Sequence, residues 1–380
     1  MTLDAAQVSE GLSPIFADNF AALGELGAAV SVWQYGEPLL DLHGGFCDAQ
    51  HEKPWTADTL VLFWSATKGP GSACLLHVLQ EHEIGLDRAV AEFWPEFAQG
   101  GKESISLAQL LSHQAGLSAL DERVDVTDHP AVVHALERQA PLWPPGTAHG
   151  YHARTFGFLL DELVRRLAGV KLGDYWRQHF AEPLALDLWI GLPPAEHARV
   201  ATIYAAKAGK PPAPEQFYRE LATPGTLVRK TFTSPAGLHA VSGMNAAAAR
   251  AMSLVSFGGI GSASSLAKFY ALLANGGALG GRQFFQPQTI AQMTTMLTAG
   301  VDRVFQIPTA FSAGFMKDPP AAERRIFGPS ATAFGQPGAG GSHAFADPES
   351  GIGFAYVMNQ MEQSLLPNEK SMRLVDALYA

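Results

Sequence analysis

The stretch from Leu60 to Leu79 constrains this chain more than any other. An apolar run, Leu60-Val61-Leu62-Phe63-Trp64, reads as a strand and feeds directly into Ser65-Ala66-Thr67-Lys68. Gly69, Pro70, Gly71, Ser72, Ala73, Cys74, Leu75, Leu76, Val78 and Leu79 follow, so small or apolar residues cover every face for two turns. A helix without a polar stripe is a buried helix, and a buried helix needs a core around it. At 380 residues and 47% hydrophobic content, the chain can build one, in two or three structural units.

A lysine inside such a helix is expensive unless it has a partner or a task. Ser65 and Lys68 stand at i and i+3, on one helix face. The hydroxyl and the amine therefore meet without help from distant sequence. The helix start adds free backbone N–H groups and a partial positive charge that favour a developing alkoxide. Ser-x-x-Lys recurs at Ser265-Leu266-Ala267-Lys268, ahead of Asn275-Gly276-Gly277. Capping serines, one apolar stripe and a glycine stop describe a surface helix there, with Lys268 solvated.

Net charge is −10 and no basic run occurs, which argues against nucleic acid and anionic membranes as partners. The two cysteines, Cys47 and Cys74, fit neither a metal-ligand spacing nor a disulfide framework. The N-terminal residues lack a basic segment followed by an apolar one, and no apolar run is long enough to cross a bilayer. The expectation is a soluble cytoplasmic protein in a reducing compartment.

Residues 5–25 read as an amphipathic helix, and 29–35 with 39–43 as a hairpin around Gly36-Glu37-Pro38. Strands stop near residue 86. Helices are expected at 87–97, 106–112, 129–140, 155–168 and 173–181, then at 245–253, 264–274 and 287–297, with 191–235 unassigned. Strand patterns return at 311–316, 331–346 and 353–359 before a closing helix. The fold class is therefore α+β. A single central antiparallel sheet is built from both termini and flanked by helices, and a mostly helical block is inserted.

Two further segments carry chemistry. Trp143-Pro144-Pro145-Gly146-Thr147-Ala148-His149-Gly150-Tyr151-His152 is a rigid turn that delivers a tyrosine before a helix. Phe334-Gly335-Gln336-Pro337-Gly338-Ala339-Gly340-Gly341-Ser342 is glycine-dense, which lets a ligand or another backbone approach closely. Together with Ser65-Ala66-Thr67-Lys68, these segments resemble the penicillin-recognising serine hydrolases, and within them the class C β-lactamase-like family VIII carboxylesterases. Tyr151-His152-Ala153 stands where that family has Tyr-x-Asn. Gln336-Pro337-Gly338 stands where it has Lys-Thr-Gly or His-x-Gly. Leu110-Leu111-Ser112-His113-Gln114-Ala115-Gly116-Leu117 is similar to a family signature between them. The resemblance covers nearly the whole chain.

It implies a β-lactamase/transpeptidase-like fold. An α/β domain would comprise 1–85 and 240–380, a mostly helical domain 86–239, and the site would lie in the cleft between them. It implies Ser65 as nucleophile, Lys68 and Tyr151 as its proton acceptors, and an oxyanion hole from the backbone N–H groups of Ser65 and Ala339. An ester carbonyl attacked by Ser65 gives an acyl-enzyme. Ionising a tyrosine at neutral pH costs roughly 4 kcal/mol. One ammonium about 4 Å away at an effective dielectric of ~20 returns about as much. A Lys68 made neutral by burial serves equally as base. Both assignments stay open at this level.

Ala153 and Gln336 replace an asparagine and a cation that orient amide and carboxylate groups in the family, which favours a neutral ester over an anionic β-lactam. Gln336, Gly338, Trp143, His152 and Phe315 are expected to contact substrate. The expected activity is that of a serine carboxylesterase for small to medium acyl esters. The rivals are a β-lactamase, DD-peptidase or acyltransferase on the same scaffold, and an inactive binding or scaffold homologue. No metal or organic cofactor is implied. The sequence holds no Gly-x-Ser-x-Gly or His-Glu-x-x-His, and Gly258-Gly259-Ile260-Gly261 lacks the spacing of a dinucleotide loop.

Overall fold

The computed structural model describes residues 2–207, 209, 214–320 and 322–380. Its centre is an eight-stranded sheet, antiparallel throughout, that joins the two ends of the chain. The order runs Glu37–Gly45, Gly27–Gln34, Ile352–Met358, His343–Asp347, Phe334–Gly335, Met316–Lys317, Pro308–Phe311 and Thr298–Val301. Gly27–Gln34 pairs in register with Ile352–Met358 from Ala28 opposite Met358 to Gln34 opposite Ile352.

Both faces of the sheet are covered. Strand residues alternate between them, with period two. Ala29, Ala344, Ala346, Ala355 and Val357 face one core. Ala28, Val30, Val32, Phe345, Phe354 and Tyr356 face the other. The first face carries small residues because the helix Ala263–Ala274 lies directly on it. A Cβ on Gly353 would stand 2.3 Å from the Ala271 amide nitrogen, so the helix can approach this closely only over glycine. The large residues of the second face pack under the terminal helices Ala5–Ala21 and Glu369–Leu378.

The helix containing the second Ser-x-x-Lys is thus a core helix, and the surface reading is corrected. Ser265 is buried; its Oγ accepts from the Asp187 N–H at 2.8 Å and from Ser262 Oγ at 3.0 Å. Lys268 is partly buried and donates to Leu184 O at 2.8 Å. Its apolar residues exceed one stripe because it has a sheet on one side and further helices on the other.

Other elements depart from expectation. A three-stranded sheet pairs Val61–Leu62 with Gly259–Gly261 and that strand with Leu188–Ile190, so strands do not stop at residue 86. Residues 87–97 hold only short 3-10 turns, at Val90–Glu92 and Pro95–Ala98. Residues 311–316 span the turn between two strands rather than forming one. Within 191–235, the helices Glu215–Ala222 and Leu227–Thr233 pack together, while positions 208 and 210–213 of that stretch lie outside the described residues. The helix Lys68–Glu81 is buried at every position from Lys68 to Leu79, as its composition requires.

Candidate active site

Ser65 sits in a 3-10 turn, Trp64–Thr67, that continues into the helix beginning at Lys68. The turn is anchored from the three-stranded sheet. Phe63 N–H donates to Gly259 O at 2.9 Å, and Gly259 N–H donates to Thr67 Oγ1 at 2.8 Å. Trp64 takes φ 52°, a left-handed conformation that costs a bulky residue on the order of 1–3 kcal/mol. The bend leaves Ser65 half-buried while Lys68, one turn on, is sealed from solvent.

Lys68 Nζ lies 3.3 Å from Ser65 Oγ. It also donates to two buried carbonyls, Ala153 O at 2.9 Å and Ser256 O at 2.8 Å. Burial, and after it the repulsion of Arg154, pushes the amine well below its ordinary range. Arg154 is itself buried, lies over the Phe257 ring and is brought down to about 10, chiefly by desolvation. Arg154 thus stands beside Lys68 as a second basic group of the site.

Tyr151 arrives from the Trp143–His152 loop. Burial raises its hydroxyl above the usual phenol range, a hydrogen bond with Ser65 opposes the rise, and the Asp302 charge adds to it. Gln336 Nε2 donates to the hydroxyl at 3.2 Å. Lys68 Nζ stands over the ring, 4.8 Å from its centroid. Desolvation thus disfavours the charged form of both groups.

The 110–117 segment holds the tyrosine loop in place. His113 O accepts the Gly150 N–H at 3.1 Å, and its Nδ1 accepts the His152 N–H at 3.2 Å. Thr155 Oγ1 donates to Leu117 O at 2.7 Å. His152 completes the stitching: its Nε2 accepts the Leu117 N–H at 2.8 Å and its Nδ1 bonds Gly150 O at 2.7 Å. With both ring nitrogens engaged and burial holding it down to about 3, His152 is a neutral structural residue, and its expected substrate contact is corrected. His149 is engaged similarly, by the hydroxyls of Thr298 and Thr309.

Phe315 is also corrected. It is fully buried, edge-on to Phe334 with centroids 4.9 Å apart, inside the core. Trp143 is 3% exposed; its Nε1 donates to Ala148 O and its ring backs His152 and Gly150, so it supports the loop from beneath.

The glycine-dense segment reaches the turn that carries Ser65 through its backbone. A Cβ on Gly338 would lie 2.1 Å from Phe63 O, so only glycine permits this contact. Ala339 then opens a 3-10 turn, Ala339–Gly341, and is exposed. The Ser65 amide falls in the first turn of its helix, where N–H groups have no acceptor within the helix, and the Ala339 amide directly precedes Gly340, whose φ of 83° breaks the helical run.

Sequence reasoning missed Ser256, Arg154 and Asp302. Ser256 contributes through its carbonyl, which no side-chain pattern signals. Arg154 directly follows the Tyr151-His152-Ala153 motif but carries no motif of its own. Asp302 accepts from amides two and three residues on, the habit of an Asx turn, and that pattern was readable. Among the described residues, no group of three or more His, Cys, Asp or Glu side chains is placed to hold a metal, and no helix is long and apolar enough to cross a membrane.

Residues 16–377 match the family model described as Beta-lactamase. Esterase/beta-lactamase LipL of Mycobacterium tuberculosis (strain ATCC 25618 / H37Rv) is 31% identical, over 92% of this chain and 81% of its own length. A penicillin-binding protein homologue from Caulobacter crescentus superposes with a TM-score of 0.87 at 37% identity, covering 99% of this chain and 98% of its own. A crystal structure of a family VIII carboxylesterase gives 0.87 at 34%, covering 100% and 98%.

Proposed function

Since the chain belongs to the β-lactamase family and is a serine hydrolase of that fold, we propose that it is a carboxylesterase. It cleaves neutral esters of small to medium acyl groups through an acyl-enzyme on Ser65. One observation carries the mechanism: Lys68 Nζ is sealed from solvent 3.3 Å from Ser65 Oγ, and its other hydrogen-bond partners among the described residues are two carbonyl oxygens. A neutral amine has two N–H bonds and one lone pair. The carbonyls of Ala153 and Ser256 take the N–H bonds, which leaves the lone pair for the serine proton. Three acceptors suit the three N–H donors of an ammonium equally, and it is burial that favours the neutral amine here.

Ser65 Oγ attacks the ester carbonyl carbon while its proton passes to Lys68 Nζ. The resulting oxyanion is received by the backbone N–H groups of Ser65 and Ala339; losing one such donor typically costs about 2.7–4 kcal/mol. Tyr151, un-ionised and oriented by Gln336, relays the proton from Lys68 to the departing alkoxide, and the alcohol leaves. Water then attacks the acyl carbon, the same groups take its proton, and the acid is released with Ser65 restored.

The substrate class follows from what the site lacks. Ala153 offers no side-chain amide, and Gln336 spends its donor on Tyr151 instead of presenting a cation to a carboxylate. The name of the family VIII relative agrees with ester hydrolysis, and that of LipL covers both esterase and β-lactamase. The test is a panel of p-nitrophenyl esters run beside nitrocefin, with fluorophosphonate labelling of wild type, Ser65→Ala and Ser265→Ala. Ester turnover above nitrocefin turnover, with labelling lost only in Ser65→Ala, is expected. Faster nitrocefin turnover reassigns the chain as a β-lactamase. Labelling that survives Ser65→Ala removes the acyl-enzyme.

A further inference from the structure

The tyrosine that this mechanism uses is gripped by a carboxylate 151 residues away in sequence. Asp302 is completely buried. Its Oδ1 accepts three backbone N–H groups, from Tyr151 at 3.1 Å, Val304 at 2.7 Å and Phe305 at 2.9 Å. Its Oδ2 accepts from Thr309 Oγ1 at 3.2 Å. The turn closed by these bonds carries Phe305, whose ring stacks on the Tyr151 ring with centroids 4.6 Å apart and planes inclined by 23°.

We propose that Asp302 is the positioning residue of Tyr151. Its carboxylate fixes the backbone of the tyrosine and, through the turn, seats Phe305 against the phenol ring, so that the hydroxyl stays between Ser65 and Gln336. The proposal rests on the role given to Tyr151 above. The carboxylate suits the task because it accepts on both oxygens and donates on neither. A salt bridge to His149 does not explain it: Nε2 of that ring is 4.0 Å from Oδ2 and is engaged by the Thr309 hydroxyl at 2.9 Å. A hydroxyl misplaced by as little as 1 Å loses on the order of 10²-fold in rate, while ester binding, which needs no contact with Asp302, is left intact.

The experiment is a kinetic double-mutant cycle with Tyr151→Phe, read on a p-nitrophenyl ester. Asp302→Ala is expected to lower kcat by about 10²-fold with KM changed by less than about twofold. Asp302→Asn keeps an acceptor oxygen toward the three amides and turns its Nδ2 to Thr309 Oγ1, so it recovers most of kcat. In the Tyr151→Phe background, Asp302→Ala produces no further loss. An equal loss in both backgrounds, or a raised KM at unchanged kcat, overturns the proposal while leaving the role of Tyr151 standing. Full kcat in Tyr151→Phe alone overturns that role, and this proposal with it. If Asp302→Ala does not fold, Phe305→Leu enters the same cycle with the same expectations.

Discussion

Replacing Lys68 with methionine separates a neutral lysine from a charged one. In the unfolded chain the amine has its ordinary pKa near ~10.4, so it is charged at pH 7. A folded state that holds it neutral releases one proton on folding, which costs roughly 4–5 kcal/mol at pH 7. Methionine removes that cost. It also leaves Ala153 O and Ser256 O without their donor, at about 1–3 kcal/mol for each buried carbonyl. The two effects nearly cancel, so Lys68→Met is expected within about 2 kcal/mol of wild type at pH 7. The pH dependence is more telling. Where the unfolded state binds the extra proton, stability rises with pH, by about 1.4 kcal/mol per unit. Wild type therefore gains about 2.7 kcal/mol over Lys68→Met between pH 7 and pH 9. Urea denaturation of both proteins at pH 7, 8 and 9 measures the difference. Parallel curves mean that the folded amine is charged, and the general-base mechanism fails. Turnover of the variant should fall by about 10²–10⁴-fold in either case.

Gly338→Ala drives a methyl group into Phe63 O, a backbone contact that no rotamer relieves. With the Ala339 amide displaced, ester kcat is expected to drop about 10²–10³-fold, as for loss of one oxyanion donor. His152→Ala leaves the Leu117 N–H and Gly150 O without partners, costing about 1–3 kcal/mol each, which urea titration at pH 7.5 will show. Because the folded His152 resists protonation down to about pH 3, the unfolded chain binds the extra proton below its ordinary value of about 6.5. Wild type then loses stability as the pH falls, and its advantage over His152→Ala shrinks between pH 6.5 and pH 4.

The meeting of Ser65 with Lys68 and the close approach at Gly338 were readable from sequence because each depends on local pattern. Ser65 and Lys68 share one helix face, and a glycine at 338 announces a close backbone approach. What surrounds them was not. Lys68 is governed by two carbonyl oxygens, from Ala153 and Ser256, and a carbonyl looks the same in every residue. His152 and Phe315 carry the composition of binding residues, yet contacts from distant segments make one a stitch and the other core. The helix around Ser265 misled for a related reason: serines that resemble surface caps were buried by the strand and loop packed against them. The sheet was legible at its long strands, 27–34 and 352–358. It was not legible at two-residue strands such as Met316–Lys317, which carry too few alternations to leave a period.

The pairing of Gly27–Gln34 with Ile352–Met358 sets a timetable for biosynthesis. At about 5–20 residues per second, the N-terminal hairpin leaves the ribosome on the order of half a minute before its partner strand is translated. Through that interval it presents an unpaired β edge, a template for wrong pairing. The nascent chain is therefore most vulnerable to aggregation before its last strands emerge, and holdase chaperones have most to protect at its beginning.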